Sequence, residues 1–73
     1  MRQLIGKIRV RGRIVEEVYL SEQIRCGECQ KMVPIGVEVV TVEKDTKPKK
    51  VLKRAWYCRS HAGDYESRAR GEG

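Results

Sequence analysis

Two residue pairs with the same internal spacing constrain this chain more than any other feature. Cys26-Gly-Glu-Cys29 is followed, 28 residues later, by Cys58-Arg-Ser-His61, and the two pairs use every cysteine and the only histidine among 73 residues. Two ligands three positions apart fit on one tight turn and approach an ion from one side. A second such pair, brought back by the intervening chain, closes the other side of a tetrahedron. This is the pattern of a structural zinc site, and Cys26, Cys29, Cys58 and His61 are the expected ligands of one Zn²⁺ per chain. A CxxC pair also serves redox chemistry, but that reading leaves Cys58 and His61 without a role. The spacing does not separate zinc from iron; closed sites of mixed sulfur and nitrogen ligands favour zinc.

Length makes such a staple necessary. Only 40% of the residues are hydrophobic, Phe is absent, and the aromatics are Trp56, Tyr19, Tyr57 and Tyr65. In a single domain of this size apolar burial barely offsets a chain entropy of about 1.5 kcal/mol per ordered residue. Zinc binding of about 10 to 16 kcal/mol becomes folding free energy where the unfolded chain holds no site. Three cysteines is an odd number, and the opening MRQLIGKIRV is broken by charge, so neither a secreted disulfide framework nor a signal peptide is expected. No apolar run approaches the ~20 residues of a membrane helix. The expected setting is cytoplasmic and reducing, away from membranes.

Between Ile5 and Leu20 apolar residues alternate: Ile8, Val10, Ile14, Val18 and Leu20 share one parity, Lys7, Arg9, Arg11 and Arg13 the other. Period two with β-branched side chains predicts strand. A loop of Arg11, Gly12 and Arg13 makes this an N-terminal hairpin over residues 1–23, with Val10 opposite Ile14 and Lys7 opposite Glu17. Val37, Val39, Val40 and Val42 begin a second hairpin, KDTKPKK turns it, and Val51 to Tyr57 returns. One or two helical turns are expected from about Ser60 to Arg70, then a frayed tail at 71–73. The fold class is a small, mainly β, α+β domain stabilised by zinc: hairpin, zinc knuckle, hairpin, short helix.

That order of elements, with the four ligands and the Ile35-Gly36 pair leading into the second hairpin, resembles the treble-clef class of zinc modules, with zinc ribbons as nearest relatives. The resemblance spans residues 24–70. The common knuckle has glycine just after its second cysteine; here Gln30 and Lys31 follow, and Gly27 lies between the ligands. Modules of this class serve in ribosomal proteins, transcription machinery, nucleases and adaptors, so the resemblance implies a site and a fold and leaves the function open.

An enzyme is not expected. A catalytic zinc keeps an open position for water beside three protein ligands, whereas all four candidates here close the tetrahedron, and no second histidine remains. Glu28 reads as a solvated side chain.

Sixteen Lys and Arg against ten Asp and Glu give a net charge of +6. Lys44, Lys47, Lys49, Lys50, Lys53 and Arg54 oppose only Asp45 over eleven residues, a flexible basic loop suited to phosphates. Lys7, Arg9, Arg11 and Arg13 form a second basic set on one face of the first strands. Either Trp56 or Tyr57 can stack on a base, but next to Cys58 the stronger expectation is Trp56 in the core beside the metal. No helix presents base-reading side chains, so binding by shape and phosphate is favoured. The function expected is a non-enzymatic module that binds RNA or DNA, within a ribosomal or transcription complex. The alternative is a protein-interaction adaptor that offers the Val37 to Val42 strand as an unpaired edge.

Overall fold

The computed structural model describes residues 2–71, so positions 72 and 73 of the expected frayed tail lie outside the described residues. Strands β1 (Gln3–Arg11), β2 (Ile14–Arg25), β3 (Met32–Glu43) and β4 (Lys50–Cys58) are followed by helix α1 (Arg59–Ala69). The strands form one antiparallel sheet in the order β1-β2-β3-β4. This is the small, mainly β, α+β class expected from the alternating pattern. No helix among the described residues is long and apolar enough to cross a membrane.

The helix covers one face of the sheet. Ile8, Val18, Val37, Val39 and Ala62 form the buried cluster there, with Ile5, Leu20, Tyr57, Tyr65 and Ala69 packed around it. Tyr57 of β4 stacks on Tyr65 of α1, with ring centroids 5.5 Å apart and planes 16° from parallel. The last helical turn presses on β1 at Gly6, where any Cβ would run into the Ala69 carbonyl. Alternation turns Glu17, Glu38, Val40 and Val42 to the opposite, helix-free face, where they are also buried.

Three sequence expectations change. First, the loop closing β1 and β2 holds two residues, Gly12 and Arg13, because Arg11 pairs with Ile14. Gly12 has φ of 55°, as the first central position of a type II′ turn requires. Lys7 does face Glu17, but the register shifts between Arg9 and Arg11 and Val10 becomes an extra residue. A bulge reverses the side-chain parity beyond it. Lys7 and Arg9 therefore point to the helix-free face, Arg11 to the helix face, and Arg13 sits in the turn; the four do not share one face.

Second, Val37 to Val42 is not an edge. β3 is hydrogen-bonded to β2 on one side and β4 on the other, which is why its valines are buried on both faces. The adaptor reading loses the feature it rested on. Third, the helix lies within one residue of the expected Ser60 to Arg70 at each end, but it is helical throughout its 11 residues and not for one or two turns only. Glu66 is buried against the Arg59 guanidinium at 3.0 and 3.1 Å, with Arg70 at 3.6 Å, and these pairs carry the extra turn.

Candidate metal centre and basic surfaces

The four predicted ligands come together at one end of the sheet. Cys26 and Cys29 lie in the β2–β3 turn, Cys58 is the last residue of β4, and His61 is in the first turn of α1. Their ligand atoms all lie within 4.8 Å of one another, an arrangement compatible with one metal ion. Cys29 Sγ is 3.8 Å from Cys58 Sγ, and His61 Nδ1 is 3.0 Å from Cys58 Sγ and 3.7 Å from Cys26 Sγ. Cys26 and Cys58 are buried, Cys29 is half-buried and the His61 ring is exposed, so one side of the centre meets solvent.

The local backbone explains why this turn holds two sulfurs. Gln30 N–H donates to the Cys26 carbonyl at 2.9 Å and Cys26 N–H to the Lys31 carbonyl at 3.0 Å, closing the loop at its base. Gln30 has φ of 60°, the left-handed conformation for which glycine is the usual choice after a second ligand. Its side-chain amide donates to the Gly27 carbonyl at 2.7 Å, and this bond supports the turn that glycine would otherwise make easily. On the other side of the centre, Gly36 stands opposite Cys58. A Cβ there would lie 2.6 Å from Ile24 Cγ1 and 2.7 Å from the Tyr57 carbonyl oxygen, so only glycine lets Ile24 cover the end of the sheet.

The electrostatics suit a cation. The His61 side chain and its backbone N–H both hydrogen-bond the Cys58 sulfur and pull that thiol down to about 6. Cys58 is also the helix N-cap, where the α1 dipole favours negative charge. Burial pushes Cys26 up, but the backbone N–H groups of Cys29, Cys58 and Glu28 outweigh it and lower the thiol. The neighbouring Cys26 sulfur raises Cys29. Two sulfurs inclined to ionise beside a third that resists is the pattern a divalent cation resolves.

The basic residues divide. At the opposite end of the sheet, Lys44 N–H donates to the Arg13 carbonyl at 2.8 Å, so the β1–β2 turn and the β3–β4 loop form one tip. The loop is folded and not a flexible arm: Thr46 Oγ1 donates to the Glu43 carbonyl at 3.1 Å and accepts the Lys50 N–H at 2.8 Å. Arg13, Lys44, Lys47 and Lys50 are exposed there. Lys49 instead turns back over the helix-free face, its Nζ 2.8 Å from Glu17 Oε2, and Lys7 approaches the same oxygen at 3.8 Å. Lys53 pairs with Thr41 and Arg54 with Val40, which sends them to opposite faces of β4.

Sequence reading missed what covers the helix-free face. Tyr19 Oη donates to Glu17 Oε1 at 2.9 Å, and the Arg2 guanidinium lies 4.2 Å above the Tyr19 ring while pairing with Glu38. Every buried side-chain N or O among the described residues has a partner. Nothing in the sequence pointed to this cover: the acids Glu16, Glu17 and Glu22 of β2 fall on both parities, and partners 36 residues apart cannot be assigned from them. Trp56 is not core: its side chain stands on this same face, 41% exposed, while its carbonyl accepts the Gly27 N–H at 2.8 Å. Glu28 is exposed, as expected.

Comparison of the chain with protein-family models, with curated proteins and with solved structures finds no match.

Proposed function

We propose that this chain is a non-catalytic zinc-binding module of treble-clef type that binds nucleic acid with the basic tip of its sheet. For zinc the support is geometric and chemical. Tetrahedral coordination with zinc–sulfur bonds near 2.3 Å separates two sulfurs by about 3.8 Å. The Cys29 and Cys58 sulfurs stand 3.8 Å apart. With three thiols and one imidazole supplied by the chain, the tetrahedron is complete and no position is left for a reacting water. The metal would then act as a staple.

The single observation that carries the binding reading is the Arg13–Lys44 contact. It joins two basic segments, far apart in sequence, into one exposed tip away from the metal. Cations presented on two turns suit phosphates, whose attraction is long-range and tolerant of geometry. Ribosomal or transcription assemblies are the setting in which so small and basic a module would work.

The test is a titration of labelled RNA and DNA with the zinc-loaded protein between 50 and 200 mM salt. Affinity is expected to fall along a log–log slope near −0.9 for each phosphate contacted. The triple change Arg13→Glu, Lys44→Glu, Lys47→Glu is expected to flatten that slope by about one for each contact removed. Binding indifferent to salt and to the triple change would sink the proposal.

A further inference from the structure

We infer that the helix-free face of the sheet is a stacking platform for single-stranded nucleic acid, with an unpaired base lying on Trp56. This rests on the nucleic-acid reading above and adds to it a second contact surface and a preferred form of ligand.

Trp56 is the one tryptophan of the chain, and the fold leaves its side chain 41% exposed on the helix-free face, where Leu4 and Val51 are exposed as well. Burial near the metal would have removed the largest apolar surface from water, yet the strand register directs the ring outward, opposite Glu38. An exposed indole stacks on any base, because every base offers a π-face. Its surroundings are already prepared for phosphate. The two acids of this face are buried, and each is held by cations: Glu38 by Arg2, Glu17 by Lys49 and Lys7. Five cations, Arg2, Lys7, Arg9, Lys49 and Arg54, thus stand over two neutralised carboxylates, a net +3.

Placement on the sheet gives the contact its geometry. Arg54 is two residues before Trp56 on the same face, about 7 Å along the strand. That is within reach of the phosphate of a nucleotide whose base covers the indole. Arg9 and Lys7 lie on β1, three strand spacings away, or about 14 Å, so a strand that crosses the sheet meets charge again at the far edge. A duplex keeps its base faces stacked inside and cannot use Trp56; it is left with the phosphate contacts alone.

As the sole tryptophan, Trp56 reports directly. The zinc-loaded protein is titrated with a single-stranded oligonucleotide and with the duplex of the same sequence, following tryptophan emission and, separately, binding of a labelled strand. The single strand is expected to quench the emission saturably, and the duplex to bind with little quenching. Trp56→Ala is expected to weaken single-strand binding about five- to 150-fold, the range of one lost stack, with Trp56→Tyr retaining most of the affinity and duplex binding unchanged. Metal content and circular dichroism establish that each variant is folded. If the single strand binds with no change in Trp56 emission, or binds Trp56→Ala and wild type alike, the platform is wrong while the basic tip stands. If neither form of nucleic acid binds, both readings fall.

Discussion

Gly27 and Trp56 are tied backbone to backbone: the Gly27 N–H, between the two cysteines of the knuckle, donates to the Trp56 carbonyl at 2.8 Å. The bond fixes the first ligand pair against the strand that delivers the second. It also fills the outward carbonyl of an edge strand, so the turn that carries Cys26 and Cys29 is fastened to the sheet by backbone as well as by its cysteines. The energetics of the domain follow from this coupling.

Removing any one ligand should therefore unfold the end of the sheet as well as release metal. If the four residues hold the proposed metal, Cys29→Ser and His61→Ala are both expected to lose it together with the cooperative melt, as is the wild type after chelation, because the affinity of such a site is folding free energy. Native mass spectrometry with thermal denaturation checks this. A His61→Ala chain that keeps its melt would favour a redox role for Cys26 and Cys29.

Gly36→Ala is expected to destabilise the metal-loaded protein by about 1 to 3 kcal/mol, the usual cost of overpacking. The new methyl meets Ile24 and the Tyr57 carbonyl, and a carbonyl in a paired strand cannot move aside. Gly63→Ala, in open space on the helix, serves as the control and should be neutral or slightly stabilising. Urea midpoints of the two variants decide the matter.

Glu17 links stability to pH. Burial pushes its carboxyl up, but hydrogen bonds from Lys49 and Tyr19 and the charges of Lys49 and Lys7 outweigh burial and leave it below its usual 4.5. A depressed carboxyl contributes stability that is fully present above 4.5 and is lost as pH falls through the lower folded-state value. Glu17→Gln should be less stable than wild type at pH 7, and the gap should close as the pH falls below 4.5. Acid also protonates the metal ligands, but it does so in both chains, so the difference between their urea midpoints isolates Glu17.

Two lysines of one loop should behave differently. Lys49→Ala is expected to lower the melting temperature, since it removes a cation from a buried carboxylate. Lys47→Ala, whose side chain is exposed at the tip, should change stability by less than about 0.5 kcal/mol. Its effect should appear in the salt dependence of nucleic-acid binding. Equal melting temperatures for the two variants would contradict the Lys49–Glu17 pairing.

The cluster of Cys26, Cys29, Cys58 and His61 was legible in the sequence because each pair is local: a three-residue spacing on a turn survives whatever the rest of the chain does. The strands were legible for a similar reason, as Val18 and Leu20, or Val37 and Val39, alternate within one element. What depended on register was not. The extra residue at Val10 turned Arg11 away from Lys7 and Arg9, and no residue type between them announces a bulge. Trp56 was expected inside because it adjoins a ligand, yet Cys58 ends a strand whose pairing with β3 sends position 56 to the helix-free face. The central place of β3 likewise follows from which strands meet, a question that valine content alone leaves open.

The contact between Gly6 and Ala69 has a consequence for how such a module can be housed. The first strand and the last helical turn share one corner, so the polypeptide enters and leaves the domain at nearly the same point. A unit with that geometry can be spliced into a surface loop of a larger host without prising the host's own ends apart.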